Sequence, residues 1–111
     1  MNNDTIIVKL DKERTLKFRR RELKMLEISL NKNLSKIDFS DMSVDEVTKM
    51  IHLGLVHEDL ELKLEKVEEL LDNSESPFGE VIKDTMDAFS IAMGGGKVDI
   101  SDKTQEVSEK N

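Results

Sequence analysis

The segment from Ser43 to Asp72 constrains this chain more than any other, because it holds two short amphipathic helices with a break between them. Ser43 and Glu46 form the pattern of a capping box: the serine hydroxyl accepts from the Glu46 amide, and the glutamate carboxylate reaches back. Behind it, Val44, Val47, Met50, Ile51 and Leu55 recur at helical spacing. Gly54-Leu55-Val56-His57-Glu58-Asp59 then interrupts the pattern. A second helix follows, with Leu64, Val67, Leu70 and Leu71 on one face and Glu65, Lys66, Glu68 and Glu69 on the other. Each apolar face must be buried, against the rest of the chain or against a partner.

Thr5-Ile6-Ile7-Val8 and Thr15-Leu16-Lys17-Phe18 are rich in β-branched or aromatic residues and flank a polar connection, Lys9 to Arg14. They predict a β-hairpin. A lone hairpin is barely stable in water, so its edges are expected to pack against helices or against another subunit. Arg19 to about Leu30 predicts a first helix, with Leu23, Leu26 and Leu30 on one face. Asn31 to Met42 reads as a connector anchored by Leu34, Ile37 and Phe39. Ser76 is placed as the N-cap of a last helix, Pro77 as its first residue. That helix carries the stripe Phe78, Val81, Ile82, Met86, Phe89 and Met93, and Gly94-Gly95-Gly96 stops it. The expectation is therefore an α+β fold, mainly α: an N-terminal hairpin followed by a small bundle of three to four helices, as one domain over 1–93. Residues 94–111 are expected to be a flexible tail, since Lys97 to Asn111 is polar and nearly free of large apolar residues.

A chain of 111 residues has room for one domain with a small core. Such a chain is only marginally stable alone, and association with copies of itself would help. There is no cysteine, which fits a reducing compartment. No apolar run approaches the ~20 residues that span a bilayer. Met1-Asn2-Asn3-Asp4 lacks the basic flank and apolar core of a secretion signal. A cytosolic protein is expected, with no membrane partner. The charge is unevenly placed. Lys9 to Lys24 holds eight basic residues against three acidic, and Ile37 to Met93 holds four basic against fifteen acidic. Molecules with this polarity pack head to tail or dock on an oppositely charged partner. The acidic two-thirds repels phosphate, so no nucleic acid partner is expected.

The search for chemistry is negative. His52 and His57 are five apart, a spacing that does not put two ligands on one helical face. The three glycines are followed by Lys97 but not by a phosphate-loop pattern. No catalytic, cofactor-binding or metal-binding residue is assigned, and no enzyme is expected. Arg19, Arg20 and Arg21 oppose the dipole of the helix they begin. Either they lie in solvent at the strand end or they meet an acidic partner. Methionines at 25, 42, 50, 86 and 93 either fill the core or give an adaptable contact surface.

Leu16-Lys17-Phe18, the helix containing Leu26-Glu27, the capped Ser43 helix, Leu53-Gly54-Leu55, His57-Glu58-Asp59, Leu64-Glu65-Lys66-Val67 and Leu70-Leu71-Asp72 follow one another in a particular order. In that order, over about residues 5 to 93, they resemble the tail assembly chaperones of long-tailed bacteriophages. Leu60 stands where that family often has proline, and Lys63 where a capping threonine is usual. The second helix therefore starts without its usual side-chain cap. The resemblance implies a protein of the host cell cytoplasm, not a major component of the mature virion. It implies binding to the tape measure protein, recruitment of the tail tube protein, and a homo-oligomer. The contact residues expected under this reading are Phe18, Arg19, Arg20, Arg21, Met86, Phe89 and Met93. The family also implies a frameshifted longer form, which codons for Gly95-Gly96-Lys97 would permit. The alternatives are a small helical DNA-binding regulator, with 43–72 as helix-turn-helix, and an antitoxin-like binding module. In the first, the would-be recognition segment 58–72 carries far more acids than lysines, the wrong sign for a major groove.

Overall fold

Alternation along Ile6-Ile7-Val8-Lys9 sends Ile6 and Val8 inward and Ile7 and Lys9 outward, the signature of a strand with one buried face. This strand, β1 (Ile6–Lys9), pairs antiparallel with β2 (Glu13–Leu16), with Ile6 opposite Leu16 and Lys9 opposite Glu13. The computed structural model describes residues 5–94. Four helices follow: α1 (Arg20–Leu30), α2 (Val44–Leu55), α3 (Leu64–Asp72) and α4 (Phe78–Ala92). Two single 3₁₀ turns, Leu34–Lys36 and Phe39–Asp41, lie between α1 and α2. The described chain is thus α+β and mainly α. The expected tail, including the codons of interest at Gly95 to Lys97, lies outside the described residues apart from Gly94.

The hairpin connection is shorter than the sequence pattern implies. Arg14 belongs to β2, and the turn is Leu10-Asp11-Lys12 alone. Leu10 is no part of a polar loop: it is fully buried, and its carbonyl accepts from the Glu75 N–H at 3.0 Å. Asp11 accepts two bonds from the Arg14 guanidinium, at 2.7 and 3.0 Å. These bonds and the guanidinium's charge outweigh slight desolvation and hold the Asp11 carboxyl down at about 2.

The outer edge of β2 is closed by the chain itself. The Lys17 N–H donates to the Gly54 carbonyl at 2.9 Å. The Thr15 N–H donates to the Glu58 carboxylate at 2.9 Å, and the His57 ring bonds the Thr15 carbonyl at 3.0 Å. A carbonyl only accepts, so this ring nitrogen carries the proton. His52 likewise bonds the Leu62 carbonyl at 2.8 Å, holding the far end of the break. The break after α2 is therefore a clasp on the hairpin, and no second subunit is needed at that edge.

The helices begin and end for local reasons. Ser43 accepts from the Glu46 N–H at 3.1 Å and Glu46 accepts from the Ser43 N–H at 3.0 Å, the capping box the sequence predicts. Lys63 caps α3 with no side-chain bond. Pro77, not Ser76, stands at the cap of α4, without a side-chain bond to the first turn. α4 ends where Gly94 takes φ +91°, a backbone conformation that favours glycine. The core runs through all six elements: Val8, Leu16, Leu26, Met50, Ile51, Val67 and Val81 are among its fully covered side chains. α2 lies at its centre, packed against α1, α3, α4 and β2. Leu34, Ile37 and Phe39 anchor the connector on this core. Val44 departs from the expected face of α2 and is 67% exposed.

Candidate docking surfaces

The seven expected contact residues do not come together. Phe18 is only 5% exposed and its ring meets Phe89 edge-on, centroids 6.2 Å apart. Phe89 meets Phe39 the same way at 5.9 Å. Phe18 is thus core, which removes it from the surface open to a partner, and Phe89 is half-buried in the same aromatic stack. Met86 is also half-buried. Met93, at the end of α4, is 49% exposed and accessible.

The three arginines divide. Arg19 is the cap of α1, and Glu22 explains its presence there. The Glu22 carboxylate accepts from the Arg19 N–H at 2.9 Å and from its guanidinium at 2.8 and 2.6 Å. A guanidinium cannot accept, so only the glutamate side of a capping box exists. Glu22 is buried. Burial alone would raise its carboxyl, but the bonds from Arg19 and the charges of Arg19 and Arg21 together hold it below the usual range. A carboxyl lowered in this way adds stability above its unfolded pKa and loses it as pH falls through the folded value. Glu22→Gln is expected to cost about 1–2 kcal/mol at neutral pH through lost charge-assisted bonds. The gap to the parent should close as pH drops below about 4. Urea melts across pH measure it, and a gap that does not change with pH would contradict the assignment. Arg20 and Arg21 remain exposed on α1.

Two surfaces stand out. The first is an open groove of about 540 Å³ where the start of α2, the end of α3 and the start of α4 converge, lined by Val44, Thr48, Glu68, Leu71, Asp72 and Phe78. Val44, Leu71 and Phe78 supply apolar surface; Glu68 and Asp72 are exposed acids beside it. The second is the outer side of α1. Met25 is 51% and Ile28 75% exposed, and Arg20, Arg21 and Lys24 stand exposed around them. Sequence periodicity assigned Val44 and Leu71 to separate buried faces. Only the crossing of three helix ends leaves them together at the surface.

Among the described residues no group of His, Asp and Glu is placed to hold a metal ion, and no helix is long and apolar enough to cross a membrane. Both histidines are engaged in backbone bonds. The chemistry these surfaces support is apolar contact guided by charge. No protein-family model matches this chain, nor does any curated protein or solved structure.

Proposed function

We propose that this chain is an assembly chaperone for a bacteriophage tail, binding the tape measure protein and helping to recruit the tail tube protein. The observation that carries the reading is the set of large apolar side chains left outward on otherwise well-packed helices and at their ends: Met25, Ile28, Val44, Phe78 and Met93, with Leu60 in the turn between α2 and α3. Apolar residues at helical spacing are the usual means of holding an amphipathic helical client. Methionine suits an irregular one, because its side chain adapts. The reading rests besides on the sequence resemblance, whose residues run in the order hairpin, first helix, capped helix, break and following helix.

Co-expression with a tape measure protein is the test. The intact chain is expected to raise the soluble fraction of that client. Met93→Gln, at an exposed helix end, should reduce the effect while leaving the circular dichroism spectrum unchanged. A client whose solubility is the same with and without the intact chain would overturn the reading. The gene order is an independent check: a tail tube gene upstream and a very long tape measure gene downstream are expected.

A further inference from the structure

The two edges of the hairpin are finished differently. Thr15 of β2 has its N–H on the Glu58 carboxylate and its C=O on the His57 ring, so it points away from β1. Its register partner is Ile7. In an antiparallel pair, opposite residues either both bond across it or both point away, so the N–H and C=O of Ile7 point away from β2. Lys9 points the same way, whereas the Leu10 N–H turns inward to the Lys12 carbonyl at 3.0 Å. Nothing among the described residues bonds the outward groups of Ile7 or Lys9. The Ile7 residue is 58% exposed. This outer edge of β1 carries no proline and no inward charge, the devices that keep a further strand off.

The direction of α4 brings a strand-like segment of the same chain to that edge. The Glu75 N–H bonds the Leu10 carbonyl, so the chain approaches α4 at the turn end of the hairpin. Phe89 meets Phe18, just past the end of β2, which puts the last turns of α4 near the start of β1. α4 therefore runs opposite to β1, and it packs against β1 more extensively than against β2, under the outer side of the sheet. Gly94 ends the helix, and Gly95-Gly96 permit a sharp turn. Lys97-Val98-Asp99-Ile100-Ser101 then alternates polar and apolar residues, both apolar ones β-branched. Residues 97–111 are too polar to fold alone. A strand added to a preformed edge needs no core of its own, because main-chain bonds hold it.

We propose that the outer edge of β1 binds residues 97–101 of its own chain as a third strand, parallel to β1. In the parallel pattern, the Val98 C=O accepts from the Ile7 N–H and the Ile100 N–H donates to the Ile7 C=O. The Ile100 C=O then accepts from the Lys9 N–H. Val98 and Ile100 extend the buried row of Ile6 and Val8, and Asp99 stands on the outer face beside Lys9. The strand closes the open edge as His57 and Glu58 close the edge of β2, and so keeps β1 from pairing with other chains. Few bonds hold it, so it opens and closes without unfolding the domain. This inference is independent of the chaperone reading.

Amide hydrogen exchange of the full chain, read residue by residue by NMR, tests it. In the parent, the Ile7 and Lys9 amides are expected to exchange about tenfold or more slowly than free amides. Ile100→Pro removes the donor to the Ile7 carbonyl, and Val98→Asp with Ile100→Asp removes both apolar anchors. In each full-length variant the Ile7 and Lys9 amides should return to the free rate. The Val8 and Leu10 amides, which bond within the hairpin, should keep their rates and so report that the fold is intact. Val107→Pro, farther along the chain, should change none of the four. Ile7 and Lys9 amides that exchange freely in the parent overturn the proposal. Protection that survives both the proline and the double aspartate variant overturns it too, since another segment then covers the edge. Protection that fades on dilution also overturns it and makes a second chain the occupant.

Discussion

Phe18→Ala is expected to remove much of the stability of this protein. The ring is almost wholly covered, stacks edge-on against Phe89 at 6.2 Å, and lies against the backbone of α2 at Gly54. Truncating a buried phenylalanine costs about 3–5 kcal/mol, part from lost transfer energy and part from the cavity left behind. Domains of this kind hold only about 5–15 kcal/mol in total. Phe89 would lose one of its two aromatic neighbours, and the link between the hairpin and α4 would loosen. Urea denaturation should show the midpoint falling with the slope unchanged. A loss below about 1 kcal/mol, the usual size of surface effects, would mean that the ring is not core. A variant that keeps full stability but fails to solubilise a client would return Phe18 to the list of contact residues.

Gly54→Val should be comparably damaging for a different reason. Gly54 lies in the last turn of α2, not in the break after it. A Cβ built there would sit 2.8 Å from Leu16 Cδ2 and 3.1 Å from Phe18 Cζ. The glycine serves close approach: the chain leaving β2 passes so near the helix that the Lys17 N–H bonds the Gly54 carbonyl at 2.9 Å. Alanine would gain about 1 kcal/mol of helix preference and offset part of the overlap. Valine adds two methyl groups in the same place, with an expected cost of about 3 kcal/mol, the upper part of the range for overpacking. The melting temperature should fall by about 10 °C or more. Gly54→Val melting within a degree or two of the parent would show that the contact is loose.

Both predictions rest on residues whose roles were misread along the chain. Phe18 ends the run expected as the second strand, and the resemblance puts it among the contact residues. Its burial depends on Phe89, which is 71 positions away. Gly54 looked like a helix terminator because glycine often is one. Its real constraint is the Leu16 side chain. Val44 fitted the apolar period of α2 but sits in its first turn, where the core no longer reaches it.

The features legible in the sequence are those whose partners lie within one or two turns. The Ser43–Glu46 box, the missing side-chain cap at Lys63, the apolar positions Val67 and Leu70 of α3 and the stop at Gly94 all belong to this class. Hydrogen bonds and periodicity over three or four residues determined them. The α+β class and the order of elements followed from the same local signals. The tertiary structure alone decided the rest: the burial of Leu10, the clasp of His57 and Glu58 on Thr15, and the meeting of Val44, Leu71 and Phe78 beside Glu68 and Asp72 in one open groove. Each depends on contacts between segments far apart in the chain. Local spacing says which side of a helix is apolar, but whether that side is covered depends on where the other helices end.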